Sequence, residues 1–228
     1  MKHWSQKNGP ATRALLEAGR PLIELALSYD WTSIVDFGCG FGLHCEEFTR
    51  AGRRATGVDI AFQPEATAQA AKEGYALIAS DWSHLPNRIW DAGYSFHSLE
   101  HTRDPIGTLH TWGAKLKPGA MFFVGVPIHK PDVACGHIAV GWSVGQLAYC
   151  MAVAGFDCRQ GHFLRWGGTV YGAARRLNVM AIADVHGGWN EAADRLPDGL
   201  VWHDKLHFAG DVASINWPDS SSGPGRSD

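Results

Sequence analysis

An apolar run that enters a cluster of glycines constrains this chain more than any other feature. Ser33-Ile34-Val35-Asp36-Phe37 leads into Gly38-Cys39-Gly40-Phe41-Gly42, and a helix-like stretch follows to Ala51. Strand, glycine turn and helix in that order open a βαβ unit, and such glycines let backbone approach a ligand where a Cβ would intrude. The free N–H groups and partial positive charge of the helix start suit a carboxylate or a phosphate. Asp59 closes the next strand-like run, Arg54 to Ile60, 21 residues after Gly38. An acid at that place can accept both hydroxyls of a ribose.

The alternation continues. Pro64 to Glu73 predicts a helix with proline in its first turn, and Tyr75 to Ser80 and Asp91 to Phe96 predict strands. Asp104-Pro105 opens a helix to Leu116 that stops before Lys117-Pro118-Gly119, and Ala120 to Val126 is a strongly apolar strand. Trp142 to Gly155 predicts a helix, Phe156 to Arg159 and Thr169 to Arg175 two further strands. These elements imply an α/β fold, a doubly wound, mostly parallel, seven-stranded sheet covered on both faces.

Upstream, Ala14, Leu15, Ala18, Leu22, Leu25 and Ala26 have helical spacing, with Gly19-Arg20-Pro21 expected to split the segment into two helices. The expected organisation is a single domain over residues 1–217: an N-terminal helical cover (1–29), a core (31–175) and a C-terminal elaboration (176–217). Residues 184–217 show no readable pattern, and the Ser/Gly/Pro-rich tail 218–228 is expected to be disordered.

Composition narrows the ligand. Twenty basic against 23 acidic residues give a net charge of −3, and Arg175-Arg176 is a doublet, not a basic run. No nucleic-acid partner is expected from that balance. The five cysteines include no C-x-x-C pair, so they read as reduced, mostly buried thiols. The N-terminus has no apolar signal core, and the longest nearly apolar run, Ala120 to Ile128, falls short of the ~20 residues a membrane helix needs. A cytoplasmic protein with no membrane partner is expected.

The glycine turn reads G-x-G-x-G, not the dinucleotide pattern G-x-G-x-x-G, and Asp36 stands two residues before its first glycine. An acid there opposes a pyrophosphate, which disfavours a nicotinamide oxidoreductase. It suits a ligand carrying an ammonium beside a carboxylate, with ribose and adenine at the other end. S-adenosylmethionine is such a ligand. At this point the sequence resembles the class I S-adenosylmethionine-dependent methyltransferases over roughly residues 31–175. The blocks Ile34–Gly42, Gly57–Ile60, Ser80–Pro86, Phe96–Pro105 and Leu116–Ala120 carry the resemblance, in order and at matching spacing.

The resemblance implies a Rossmann-like methyltransferase fold, with Gly38, Cys39 and Gly40 against the methionine part of the cofactor and Asp36 close by. It further implies Asp59 on the ribose, Ile60 on the adenine face, Asp81 on the adenine amino group with Trp82 adjacent, and His97 near the methyl donor. A small-molecule acceptor with a reacting O or N atom is expected. His101, His129 and His137 are the candidate general bases, since an imidazole titrates near ~6.5.

His97-Ser98-Leu99-Glu100-His101 also spells an inverted zinc-protease motif, but it follows a buried strand and Asp104-Pro105 arrives before a helix can develop. Some ubiquinone-pathway O-methyltransferases that this block resembles carry Glu-x-x-Glu-His and bind a divalent cation. His97 replaces the first Glu here, and no metal is expected. His203 and His207 have i, i+4 spacing, but Asp204 and Lys205 between them read as solvated surface. Trp142, Trp166, Trp189 and Trp202 fall where such folds build an acceptor pocket, although core packing would also use them. The fourth-strand block lacks the Asn/Asp-Pro-Pro-aromatic tetrad that DNA base-amino methyltransferases share. The other class left open is a non-catalytic module that works through a partner.

Overall fold

The computed structural model describes residues 9–128, 136–179, 182, 189–204 and 207–218. Its elements are α1 (Pro10–Leu27), β1 (Ser33–Phe37), α2 (Leu43–Arg50), β2 (Arg54–Asp59), α3 (Pro64–Glu73), β3 (Ala76–Ala79) and β4 (Trp90–Phe96). There follow α4 (Pro105–Lys115), β5 (Leu116–Pro127), α5 (Val144–Val153), β6 (Phe156–Trp166), β7 (Thr169–Arg176), α6 (Trp189–Ala193) and β8 (Ser214–Ile215). Single 3-10 turns stand at Trp82–His84 and Leu99–His101.

The sheet order is β3-β2-β1-β4-β5-β7-β6-β8. Pairing is parallel from β3 to β5 and antiparallel from β5 through β7 and β6 to β8. The chain leaves β1 toward β2 and β3, then returns to place β4 on the other side of β1. That reversal opens a crevice at the carboxyl ends of β1 and β4, where open α/β sheets bind ligands.

Alternation along β1 explains the two cores. Val35 and Phe37 face α4, where Phe37 stacks on Trp112 at 5.2 Å, and Ile34 and Asp36 face α1 and α2. Each face buries an aromatic cluster, with Phe122 and Phe156 on the α4 side and Phe48, Tyr94 and Phe123 on the other.

Four expectations change. The helix at residues 11–29 is not broken: α1 runs through Pro21. Loss of one N–H bond is offset by complete burial of Leu22 and Ala26, by the Tyr171 hydroxyl donating to the Ala18 carbonyl at 2.7 Å, and by close packing of Gly19 on His44. Lys117-Pro118-Gly119 lies inside β5, in an irregularity where the register with β4 shifts and Gly119 takes φ +78°. The sheet has eight strands, because Ser214–Ile215 adds to β6. His203 and His207 are not helical: the His203 amide donates to the His207 carbonyl at 2.8 Å, beside an isolated Trp202–Phe208 bridge. Cys39, Cys45, Cys150 and Cys158 are free thiols, and Cys135 lies outside the described residues. The proposed tail beyond residue 218 also lies outside them.

Candidate cofactor site

The crevice has one wall made of backbone. Gly38, Gly40 and Gly42 take φ of +73°, +54° and +70°, conformations that other residues adopt at a cost. The amides of Gly38 and Cys39 donate to the Val58 carbonyl at 2.8 and 3.2 Å. The Asp59 carboxylate accepts from Gly40 N at 2.9 Å and from Ile60 N at 2.7 Å, so the end of β2 holds the glycine turn. A Cβ on Gly38 would fall 1.9 Å from Ser98 Oγ. The turn after β1 is therefore in contact with the turn after β4.

Asp36 lies beneath this turn, 3% exposed, and among the described residues accepts only a long bond from the Cys45 thiol at 3.8 Å. Burial, reinforced by the nearby Asp59 charge, pushes its carboxyl up to about 8. Ile60 stands at the lip, 77% exposed. Asp81 is exposed and accepts from Ser83 N at 2.8 Å and Ser83 Oγ at 2.6 Å, which holds it below the usual carboxylate range. Trp82 meets Trp112 edge-on at 5.3 Å, so one side of its ring is core.

Lys115 carries no motif and was not singled out from sequence. Its buried ammonium donates to the carbonyls of Ser83 and Leu85 and to Asn87 Oδ1 at 2.8–3.0 Å, pinning the loop that follows Asp81-Trp82.

The opposite wall is made of side chains. His97 follows β4 directly, with φ +50° in the left-handed region. Its Nε2 is 3.2 Å from Thr169 Oγ1 and its Nδ1 is 3.5 Å from a Glu100 carboxylate oxygen. Glu100 is fully buried, and neither of its carboxylate oxygens accepts a hydrogen bond from a described residue. Burial pushes its carboxyl up to about 7. His101 Nδ1 is 2.8 Å from the Gly136 carbonyl, and its ring meets that of His137 edge-on at 5.0 Å. The amides of Ile138 and Ala139 donate to the Glu100 carbonyl at 2.7 and 3.0 Å, folding the segment after β5 onto the Leu99–His101 turn.

Of the three candidate bases, His101 and His137 are brought together, and His129 lies outside the described residues. In the sequence Glu100 figures only within the inverted zinc-protease motif and the Glu-x-x-Glu-His comparison, both set aside; in the fold it is buried, as is its neighbour Leu99. Trp142 is core, 4% exposed. Trp166 is 52% exposed at the tip of the β6–β7 hairpin, one turn from Thr169, and Trp202 packs edge-on against Phe208 at 5.2 Å. The side chain of Trp189 is outside the described set.

Comparison with known proteins decides the family: residues 5–168 match the methyltransferase domain family. The chain belongs to it. It is a class I S-adenosylmethionine-dependent methyltransferase domain. A ubiquinone biosynthesis O-methyltransferase of Hydrogenovibrio crunogenus is 32% identical over 98 residues, covering 40% of this chain and 41% of the relative. The chain thus spans about two-fifths of the length of this curated relative.

Two solved structures share the fold. The 1,6-didemethyltoxoflavin-N1-methyltransferase of Burkholderia thailandensis, with 1,6-didemethyltoxoflavin and S-adenosylhomocysteine bound, has a TM-score of 0.61 at 21% identity, over 71% of this chain and 79% of that one. The PH0226 protein of Pyrococcus horikoshii has a TM-score of 0.63 at 14% identity, over 77% and 96%. Among the described residues, no helix of this methyltransferase is long and apolar enough to cross a membrane.

Proposed function

We propose that this methyltransferase moves the methyl group of S-adenosylmethionine to an oxygen or nitrogen atom of a small-molecule acceptor. One observation carries the reading: Gly38 abuts Ser98, so the backbone wall that suits the cofactor and the histidine wall share one crevice. In the reaction the acceptor lone pair attacks the methyl carbon and the carbon–sulfur bond breaks in line. The sulfonium charge is lost as a thioether leaves. The donor is already activated, so placement of the acceptor supplies much of the acceleration.

Each wall then has its work. Gly38, Cys39 and Gly40 lie along the methionine part, and Asp36 answers its ammonium. Asp59 keeps lone pairs for the ribose hydroxyls while it holds Gly40 and Ile60. Ile60 packs on the adenine, with Asp81 and Trp82 at its edge. His97 borders the methyl, and the acceptor proton leaves to His101 or His137, with His129 on the same loop as the third candidate. The exposed apolar side chains of Ile138, Val140 and Trp166 suit a flat or apolar acceptor.

Calorimetric titration of the full chain with S-adenosylmethionine, S-adenosylhomocysteine and NAD tests the cofactor, and an acceptor screen with labelled donor follows. Micromolar binding of both sulfur ligands and none of NAD is expected. A folded chain that binds neither sulfur ligand overturns the reading.

A further inference from the structure

We infer that Arg176 and Arg88 form a binding site for a small carboxylate on a short apolar stem, at the end of the sheet opposite the crevice. Arg176 is the last residue of β7. In the β5–β7 ladder Thr169 pairs with Pro127 at the crevice end, and Arg175 pairs with Met121 at the other. The extended chain from Thr169 to Arg175 separates the two ends by about 20 Å. This site is therefore distinct from the one assigned to methyl transfer.

Arg176 is a buried cation that lacks a counter-charge. It is 9% exposed, and its Nη1 has no hydrogen-bond partner among the described residues. The other buried arginine, Arg195, donates to the Ala152 carbonyl and pairs with Glu191. For Arg176 the neighbouring charge has the same sign. Burial, and after it the Arg88 charge, push its guanidinium below the ordinary value. A lysine or histidine so placed would shed its proton, which a guanidinium does not do in a protein. Buried charges are ordinarily paired, and the partner missing here is an anion.

The guanidinium lines a cavity of about 190 Å³, measured out to its mouth. Gly113 and Ala114 of α4, Phe156 of β6, and Leu177 and Val179 beyond β7 supply apolar walls, and no lining residue is acidic. His110 closes one side by donating from Nδ1 to the Ala154 carbonyl at 3.1 Å. Arg88 is exposed and is tied to the same elements twice. Its amide donates to the Ala114 carbonyl at 3.1 Å, and its Nη2 donates to Asn178 Oδ1 at 2.9 Å. Val179, 42% exposed, adds an apolar rim.

These surroundings select the anion. A guanidinium presents parallel N–H donors that match the two oxygens of a carboxylate. The cavity is too small for a nucleotide. Its walls offer a phosphate no further donors for its remaining oxygens, whereas a short hydrocarbon stem loses nothing by lying against them. Arg88 adds positive charge at the mouth without itself being buried.

The test uses the full chain with sodium butyrate as the probe, and inorganic phosphate and chloride in parallel at constant ionic strength. Calorimetry and thermal denaturation read the binding. One equivalent of butyrate is expected, and the melting temperature should rise with the logarithm of its concentration. Arg176→Met should weaken butyrate by roughly tenfold or more, and Arg88→Met by about threefold. Methionine keeps the apolar stem, so without butyrate Arg176→Met should melt no lower than the parent chain, having lost an unpaired buried charge. Arg165→Met, which removes an exposed guanidinium paired with Asp211, should change nothing.

Absence of saturable butyrate binding, or binding unchanged in Arg176→Met, overturns the site. A lower melting temperature of Arg176→Met without butyrate also overturns it, because the chain would then already neutralise this cation. Phosphate bound more tightly than butyrate overturns the assignment to a carboxylate. S-adenosylhomocysteine is titrated into the same samples, and its affinity should not depend on butyrate. Competition between the two would put butyrate in the crevice and overturn the placement.

Discussion

The two walls of the crevice are built on different principles. On the proposed cofactor side, glycine backbone and main-chain amides do the positioning: Gly38 and Cys39 bond to Val58, and Gly40 and Ile60 bond to Asp59. On the proposed acceptor side, three separate stretches meet: His97 to His101, residues 136–139, and Thr169. The backbone wall tolerates little, because a Cβ cannot be rotated away. The side-chain wall can exchange residues without disturbing the sheet. A fold with one invariable chemistry and many acceptors would divide its labour in this way.

Substituting the glycines should break the backbone wall most severely. In Gly38→Ala a Cβ would meet Ser98 Oγ at 1.9 Å at a φ of +73°, and we expect loss of S-adenosylhomocysteine binding and about 2–4 kcal/mol of stability. Gly40→Ala takes φ +54° with no described atom within 4 Å, and should cost about 1–2 kcal/mol. Thermal denaturation and calorimetry compare the two. Adding Ser98→Gly to Gly38→Ala removes the clash and should leave only the smaller conformational cost. Equal losses in the two alanine variants would show that the contact between the walls is unimportant.

This asymmetry explains how much the sequence revealed. Asp36 to Gly42 and Gly57 to Ile60 are contiguous, and the need for positive φ leaves glycines where they can be read. Most of the sheet was equally legible, because β1, α3 and the strand positions follow from apolar runs and a proline at a first turn. On the other wall His97, His101 and His137 could be named from sequence, but not their meeting or the burial of Glu100. Glu100 and His137 are 37 positions apart, and their polar atoms come within 4.8 Å in a segment that Ile138 and Ala139 tie to the Glu100 carbonyl. Lys115 gave no signal, since its role is to fill three acceptors of a loop distant in sequence. The helix break expected at Pro21 failed for a related reason: tertiary burial of α1 outweighs a local penalty.

A second effect, smaller than that of Gly38, concerns the charge under the glycine turn. Asp36 ionises near 3.8 in an unfolded chain and holds its proton up to about 8 in the fold. Its contribution to stability is therefore full below about pH 4 and is lost as pH rises toward 8, since the folded state binds the extra proton across that window. A ligand ammonium reverses the preference by favouring the carboxylate. Affinity for S-adenosylhomocysteine should then rise by about tenfold per pH unit between pH 6 and pH 7, with close to one proton released at pH 7. Calorimetry in two buffers of different ionisation enthalpy counts that proton. In Asp36→Asn both the slope and the release should vanish; if they persist, the titrating group lies elsewhere.

The smallest expected effect falls on the seam between the walls. His97 holds φ +50°, and asparagine is among the few residues that accept this conformation readily, so His97→Asn should fold with stability changed by no more than about 1 kcal/mol. The variant removes the imidazole that stands between Thr169 and Glu100. If the cofactor is held mainly by backbone, its affinity should fall by only about twofold to threefold. The acceptor, facing side chains, should show a rise in KM of about tenfold, the scale of one lost hydrogen bond to a polar group. Titration with S-adenosylhomocysteine and steady-state kinetics with the acceptor found by screening give the two numbers. A larger loss on the cofactor side would move His97 across the seam and make the backbone wall depend on a side chain after all.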